Sequence, residues 1–243
     1  MTKEMNLDTE NNVVMSNALI KGKSNLSLNE LKLLRLAIMQ IVKEQQDFQT
    51  YTVNIIDLAK MLDISRQYIY READTITTHI MQEIVFVGSH DDLKKPWKKF
   101  QWVSACKYES GTLTIRLNDE LKPYLLGLSK LYTQYVLSDI ICLKSVYSIR
   151  LYELIRQSMM YQKVYADKTA TVYLSIEDIR TATDTADKYE KFSMFRARVI
   201  DSAIKEIREK IGYNITYTVK KKSRSIIGFT FTIESAQNIK EKS

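Results

Sequence analysis

The chain is poor in residues that cross-link or interrupt a fold. Its 243 residues include only two prolines, six glycines, two cysteines and two histidines. Cys106 and Cys142 belong to no CxxC pair, so they supply neither a disulfide framework nor a zinc motif, and we expect both to be small core residues in a reducing cytoplasm. The scarcity of proline favours compact modules without long linkers.

Few glycines and histidines argue against several enzyme classes. The glycines form neither GxxxxGK[ST] nor GxGxxG, so no phosphate cradle for ATP or a dinucleotide is visible. His79 and His90 lack the spacing of paired metal ligands. A rolling-circle nickase would need a histidine cluster beside a nucleophilic tyrosine, and the 15 tyrosines have no such cluster. We therefore predict no catalytic site, metal or cofactor, and place His79 on a helix surface or core edge.

Long apolar runs are also absent. Without a stretch of eighteen apolar residues or a signal-peptide pattern, we expect a soluble cytoplasmic protein with no membrane partner. A hydrophobic content of 45% with 27% charged residues indicates a globular chain with a substantial core. Its length allows one large domain or two of ordinary size.

The basic charge is concentrated in one segment. Residues 188–224 hold eleven Lys or Arg against four Asp or Glu, an excess equal to the whole chain's formal net charge of +7. Binding to phosphates requires such local charge density, so the segment indicates a polyanion-binding element. A charge run is also typical of a helix face that is only solvated. The pattern of residues inside the segment has to distinguish a polyanion-binding element from such a face.

Two successive halves show the same predicted order: helix, short strand, helix, turn, helix, hairpin. This is the order of a winged helix-turn-helix domain. In the first half, Ser27 and Glu30 predict a capping box, Ser65 a helix N-cap and Gly111 a hairpin turn. The predicted elements there are a helix from Ser27, a strand at Tyr51–Val53, helices Ile55–Leu62 and Ser65–Gln82, a run Ile84–Val87, and strands Phe100–Tyr108 and Thr112–Leu117.

The second half repeats the first at an offset of 121, where Leu174–Ile179 aligns with Val53–Leu58. We therefore predict an α+β fold of two tandem winged helix-turn-helix domains related by an internal pseudo-repeat. The predicted elements are helices Ser145–Tyr161, Ile176–Thr183 and Phe192–Ile211, with strands Thr171–Leu174, Ile215–Val219 and Ile226–Ile233. The predicted divisions are a flexible arm 1–13, a first domain 14–130, a second domain 131–234 and a tail 235–243.

The long helix from Phe192 carries the predicted DNA-reading face. At 100° per residue, one side collects Phe192, Phe195, Val199, Ile200, Ala203, Ile207 and Ile211. Arginine can fork to guanine O6 and N7 in the major groove, serine can bond a base edge, and lysine can take phosphate or guanine. Arg198 is the strongest base-reading candidate, whereas Arg196 plots near the apolar edge, where its stem would pack and its head reach a phosphate. The opposite side collects Lys191, Met194, Arg198, Asp201, Ser202 and Lys205.

The predicted hairpin tip adds four cations in five residues: Lys220, Lys221, Lys222 and Arg224. Neighbouring lysines repel one another, so a structural role is a weak explanation. A wing that grips the sugar-phosphate backbone explains the cluster, and such contacts set affinity and register without specifying sequence.

The first half carries a weaker version of this pattern of basic helix and cationic hairpin. Positive and negative charges in this half are nearly balanced. This half could bind DNA less tightly or mainly contact another subunit. Its predicted recognition helix shows Arg66, Gln67, Tyr70, Arg71 and Thr77, and the surface near its wing adds Lys94, Lys95, Lys98 and Lys99.

Several stretches resemble the iteron-binding plasmid replication initiators. Residues 145–155 (SVYSIRLYELI) are similar to the S-x-Y-[AS]-I-R-L-Y-E-L-L stretch that opens this family's second domain. Further similarity lies in the recognition-helix pattern Phe192–Ile200, the hairpin end Ile227–Phe231 and the entry sequence Val14–Leu19. The resemblance spans roughly residues 13–233.

The resemblance implies a plasmid-encoded initiator. Monomers of the family bind double-stranded DNA repeats at the plasmid origin, help open an AT-rich region, and recruit the host initiator and replicative helicase. Homodimers, in equilibrium with monomers and joined through the first domain, repress the initiator's own gene. Arg150 looks like the family's structural arginine, and the long dimer-forming stretch of better-known members is not recognisable in residues 85–108. The alternatives are a transcriptional repressor without an initiation role and a DNA-nicking initiator.

Overall fold

The structure, a computed structural model, describes residues 2–88, 94, 96–161 (Tyr161 by its backbone alone) and 169–234. The chain forms two compact units, Met1–Ile141 and Cys142–Ser243. This division falls later than the predicted 130/131, because residues after 130 complete the first unit. Strand Tyr132–Val136 pairs with Asn12–Ser16, and the Ile141 carbonyl accepts a 2.6 Å hydrogen bond from Lys32 Nζ. The predicted tail 235–243 lies outside the described residues.

The first unit combines helices with a sheet and two further strand pairs. The helices are α1 (Asn17–Lys21), α2 (Leu28–Met39), α3 (Ile55–Leu62), α4 (Arg66–Gln82), α5 (Lys122–Leu125) and α6 (Leu137–Ile141). The strands are β1 (Thr2–Glu4), β2 (Asn12–Ser16), β3 (Thr50–Asn54), β4 (Ile84–Val87), β5 (Lys98–Gln101), β6 (Val103–Glu109), β7 (Thr112–Leu117) and β8 (Tyr132–Val136). The sheet has the order β1-β3-β7-β6, while β2 with β8 and β4 with β5 form separate antiparallel pairs.

The prediction of a loose N-terminal arm was wrong. Strand β1 pairs in parallel with β3, and the Met5 N–H donates to the Thr52 carbonyl at 2.7 Å. Met5 is 5% exposed and Val13 is fully buried. Strand pairing uses backbone groups, which every residue except proline carries in full, so a polar segment can pair once a sheet edge is available.

The helix starts of the first unit confirm the local signals in the sequence. Ser65 Oγ accepts from the Tyr68 N–H at 3.1 Å and caps α4. Glu30 Oε2 accepts the Ser27 N–H at 2.8 Å, as in a capping box, and also lies 2.7 Å from His79 Nδ1. His79 therefore sits at the core edge, as predicted, and links α4 to the start of α2. His90 lies outside the described residues.

The predicted strand Phe100–Tyr108 is two strands. β5 pairs with β4 as one hairpin, and β6 pairs with β7 as another, with the buried Trp102 between β5 and β6. At the β6–β7 turn Ser110 and Gly111 have φ of 49° and 78°. Two successive positive φ values are what a two-residue type I′ hairpin turn requires, so the glycine there has the predicted role.

The second unit repeats this plan. The helices are α7 (Val146–Tyr161), α8 (Ile176–Ala182), α9 (Phe192–Phe195) and α10 (Ser202–Ile211), with a π-helical segment (Arg196–Asp201) between α9 and α10. The strands are β9 (Ala170–Ser175), β10 (Asn214–Lys222) and β11 (Ser225–Glu234). The sheet order β10-β11-β9 corresponds to β6-β7-β3 of the first unit, which confirms the internal pseudo-repeat.

Helix α7 places an ion pair inside the core of the second unit. Arg150 and Glu153 have side chains that are 1% and 0% exposed and form a salt bridge one helical turn apart. Arg150 Nε also donates to the Ala182 carbonyl at 2.9 Å, which ties α7 to the end of α8. Arg150 is therefore structural, as the resemblance implied.

Candidate nucleic-acid interface

One guanidinium fixes the turn that precedes the recognition helix, which comprises α9, the π-helical segment and α10. Arg180 donates to the carbonyls of Thr185, Lys188 and Tyr189 at 2.6, 2.8 and 3.0 Å. The same group lies 4.2 Å from the centroid of the Phe195 ring, in cation–π geometry. Arg180 is not among the predicted site residues, because its partners are backbone carbonyls, which leave no signal in the sequence.

The recognition helix presents the predicted face to solvent. Its buried side consists of Phe195, Val199, Ile200, Ala203, Ile204 and Ile207, with Phe192 and Ile211 partly exposed. The predicted DNA-reading residues all lie exposed on the helix or at its N-cap: Lys191, Met194, Arg196, Arg198, Ser202 and Lys205. The structure thus brings them together on one helix with a solvent-exposed, predominantly basic side.

Arg196 lies close to an acidic residue of the same helix. Its side chain is 48% exposed, and its Nε lies 3.7 Å from Asp201 Oδ2. Arg196 and Arg198 both fall in the π-helical segment, where a turn contains more residues than the α-helical geometry assumed from the sequence. This wider turn changes the angular position of each side chain. Single π turns inside α-helices occur frequently at functional sites.

The wing of the second unit is the hairpin of β10 and β11, and its strands are longer than predicted. Lys220, Lys221 and Lys222 belong to strand β10, and the turn comprises only Ser223 and Arg224. All four cations of this tip are exposed. Because side chains alternate along a strand, Lys220 and Lys222 project from one face and Lys221 from the other. The pairing register shifts between Lys220 and Lys221, and such bulges increase the local twist.

Gly228 allows strands β9 and β11 to approach each other closely beside the wing. A Cβ at this position would lie 2.4 Å from the Leu174 carbonyl oxygen and 2.8 Å from the Tyr173 ring. The Tyr173 hydroxyl donates to the Ile227 carbonyl at 3.0 Å. The close approach of neighbouring strand and ring explains why the Ile-Gly-Phe stretch of β11 contains glycine.

We expect each wing substitution, Lys220→Ala, Lys221→Ala or Lys222→Ala, to weaken binding to specific and scrambled duplexes by the same factor. The salt dependence of log K should become shallower by about one for each phosphate that the variant no longer neutralises. Fluorescence anisotropy at several salt concentrations measures both quantities. Lys130→Ala, which removes an exposed cation from the first unit, is the control. A wing variant with altered base preference would contradict this role.

Helix α4 is the corresponding helix of the first unit. Its predicted contacts Arg66, Gln67, Tyr70 and Arg71 are exposed, while Ile69, Ala73, Ile76 and Ile80 face the core. Arg71 Nε lies 2.7 Å from Glu72 Oε1, and this hydrogen bond raises the pKa of Arg71. Thr77 is partly buried and donates to its own helix at the Ala73 carbonyl, so it is not placed to read bases.

The wing of the first unit carries less free charge than its counterpart. Lys107 Nζ and Glu109 Oε2 form a 2.6 Å ion pair near the tip. Lys98 and Lys99 lie on the separate β4–β5 hairpin, whereas Lys95 lies outside the described residues. Tyr108 of β6, which is not among the predicted site residues, packs edge-on to the exposed Tyr70 of α4 with ring centroids 6.5 Å apart.

A cleft of about 280 Å³ lies between α10 and β10 in the second unit. One of its lining residues, Arg208, extends the basic face of the helix beyond Lys205. Arg208 lines it and donates Nη2 to the Ile215 carbonyl at 3.3 Å. The spacing of Arg208 from Lys205, three residues along the same helix, is the signal that could have identified it. The lining residues are Asp201, Ile204, Lys205, Arg208, Ile215, Thr216 and Tyr217.

Metal-binding clusters and membrane-spanning helices are absent from the residues that the structure describes. No three His, Cys, Asp or Glu side chains there come together in a group able to hold a metal ion. Across the same residues, no helix has both the length and the apolar content required to cross a membrane.

Comparison with known proteins agrees with this architecture. Residues 12–156 match the family model of the initiator replication protein WH1 domain, and residues 175–233 match that of the initiator Rep protein WH2 domain. An uncharacterized 27.6 kDa protein of Escherichia coli is 24% identical over 241 residues, which cover 93% of this chain and 95% of that protein. The crystal structure of Pi initiator protein in complex with iteron DNA matches with a TM-score of 0.77 at 20% identity, covering 93% of this chain and 98% of that one. Since the two family models together match most of the chain, the protein belongs to the initiator replication (Rep) protein family, with one WH1 and one WH2 domain.

Proposed function

We propose that this protein is a sequence-specific, non-enzymatic DNA-binding initiator of plasmid replication that binds repeated sites, or iterons, at a plasmid origin. The observation that carries the proposal is the exposed basic face of the WH2 recognition helix beside a cationic hairpin. Membership of the initiator family supports the replication role. A structural neighbour crystallised with iteron DNA supports the choice of ligand.

The two cationic elements have different tasks in this proposal. Arg198 and its neighbours on the recognition helix contact base edges in the major groove, where arginine distinguishes guanine by a bidentate hydrogen bond. The lysines of β10 contact phosphates and fix the register of the protein on the duplex. In WH1, the paired charges of Arg71 and Lys107 leave fewer cations for phosphate, so this domain supplies an auxiliary contact.

The family resemblance is the basis for the remaining steps of initiation that we propose. In this proposal, bound monomers promote opening of the origin and recruit the host replication initiator and replicative helicase. Homodimers joined through WH1 repress the protein's own gene, and the balance between the two forms sets plasmid copy number. The protein acts in the bacterial cytoplasm, where its plasmid resides.

Footprinting on DNA that flanks the gene, combined with a replication assay, tests the proposal. We expect the protein to protect several direct repeats, and a plasmid that lacks the gene to replicate only when the protein is supplied in trans. Protection of a promoter site together with normal replication of the deleted plasmid would identify a repressor instead.

A separate assay tests the absence of catalysis. The protein is incubated with supercoiled origin DNA and Mg²⁺, and the products are separated on a denaturing gel. We expect the DNA to remain supercoiled and free of protein. A relaxed product, or DNA linked covalently to a tyrosine, would show a nicking enzyme and contradict the proposal.

A further inference from the structure

An acidic residue, Asp201, lies on the basic side of the WH2 recognition helix. Asp201 has a side chain that is 46% exposed, and it belongs to the same predicted face as Arg198 and Lys205. A carboxylate at this position would repel the phosphates of a bound duplex, so charge alone makes it unfavourable for DNA binding. Its contacts within the protein offer a reason for its presence.

Asp201 connects the wing with both ends of the π-helical segment. The Tyr217 hydroxyl donates to Asp201 Oδ1 at 2.6 Å, while Arg196 Nε lies 3.7 Å from Oδ2. Tyr217 belongs to β10, the strand that carries Lys220–Lys222. Arg196 begins the π-helical segment and Asp201 ends it. One carboxylate therefore faces side chains from the wing strand and from the start of the segment.

Aromatic packing in the wing sheet fixes the position of the Tyr217 ring and its hydroxyl. Its ring meets Phe229 edge-on at a centroid distance of 5.4 Å and lies 5.9 Å from the Phe231 ring. Both phenylalanines are fully buried in the wing sheet. Burial, followed by the hydrogen bond to Asp201, raises the pKa of Tyr217 to about 12. The hydroxyl is thus protonated at neutral pH and able to donate.

We propose that Asp201 is a positioning residue for base recognition, which through Tyr217 holds the π-helical segment, and with it Arg196 and Arg198, in register with the wing. The inference rests on the proposed function, because it concerns how the same face reads a duplex. Asp201 could instead accept a hydrogen bond from cytosine N4, and comparison of Asp201→Asn with Tyr217→Phe distinguishes the two roles. The positioning role uses the contacts that the structure contains.

Substitution of both partners separates positioning from a simple charge effect. The dissociation constants of the wild type, Asp201→Asn, Tyr217→Phe and the double variant are measured on the footprinted duplex and on a scrambled duplex of equal length and composition. We expect Tyr217→Phe to reduce the ratio of specific to non-specific affinity by about tenfold, the effect of one hydrogen bond to a charged group. Asp201→Asn should change the ratio in the same direction but by less, because the asparagine amide oxygen still accepts from the Tyr217 hydroxyl, now as a neutral acceptor. The double variant should be no less specific than Tyr217→Phe alone, because both substitutions act on the same bond.

Matched controls remove a carboxylate and a tyrosine hydroxyl away from this contact. Asp187→Asn removes an exposed carboxylate from the turn before the recognition helix, and Tyr124→Phe removes a tyrosine hydroxyl from α5 of the first unit. Both should preserve the specificity ratio. Tyr217→Phe keeps the aromatic packing and the charge, so it tests the proposal even if Asp201→Asn is less stable.

Three results are decisive. If Asp201→Asn tightens binding to both duplexes equally and leaves the ratio unchanged, Asp201 acts only as a charge and the proposal is wrong. If Asp201→Asn loses discrimination at a single C·G pair while Tyr217→Phe behaves as wild type, Asp201 reads a base and the proposal is again wrong. If the wild type itself does not distinguish the two duplexes, the proposed function fails, independently of this inference.

Discussion

Replacing Arg150 by methionine is expected to lower the free energy of unfolding by about 3–5 kcal/mol, the usual cost of breaking a buried ion pair by removing one partner. The substitution takes the guanidinium away from the Glu153 carboxylate, whose side chain is 0% exposed. It also removes the hydrogen bond to the Ala182 carbonyl that joins α7 to α8. Urea unfolding followed by circular dichroism measures the change.

Two further variants show whether the pair itself is the cause. Arg150→Met combined with Glu153→Leu should recover much of the stability, because replacing a whole buried pair with apolar residues is often neutral or stabilising. Lys188→Met breaks an exposed pair with Asp184 and should cost at most about 1 kcal/mol. A decrease below about 1 kcal/mol for Arg150→Met would contradict the structural role of Arg150.

Arg198→Ala is expected to weaken binding to the specific site by about 1–3 kcal/mol and to relax base preference at one position. Arg198 is exposed on the recognition helix, where its fork can reach guanine O6 and N7. Anisotropy measurements on duplexes that carry each base pair in turn at every position reveal which preference disappears. If discrimination is unchanged, the recognition helix is wrongly assigned.

Arg198→Lys and Arg224→Ala serve as matched controls. Lysine keeps the charge but loses the planar bidentate fork, so base preference should fall while the salt dependence stays close to wild type. Arg224 lies at the exposed wing tip, and its removal should weaken all sequences alike and make the salt dependence shallower. The contrast separates base reading from phosphate binding.

Local signals in the sequence predicted most of the fold. Ser27 and Ser65 cap helices at the expected positions, and Gly111 forms the expected hairpin turn. The apolar stripe from Phe195 to Ile207 faces the core as its periodicity predicted. These features depend on residues close together in the chain, where hydrogen-bonding geometry and the 3.6-residue period constrain the structure.

Long-range contacts account for the differences. Residues 2–4 form strand β1 because β3, far along the chain, offers an edge for backbone pairing. Strand β8 joins the first unit because β2 is its partner, which moves the division between the units to residue 141. Backbone pairing of this kind has little dependence on side-chain identity, so composition alone does not reveal it.

The sequence by itself determined the repeated winged-helix order, the concentration of positive charge and the identity of the exposed side of the recognition helix. These properties are set by the order, charge and periodicity of the residues. Only the tertiary structure decided that Arg196 faces Asp201, that Asp201 is bound to Tyr217 and that Arg180 fixes the preceding turn. Each depends on where distant segments meet or on a local change from α- to π-helical geometry, and neither is encoded in a regular pattern of neighbouring residues.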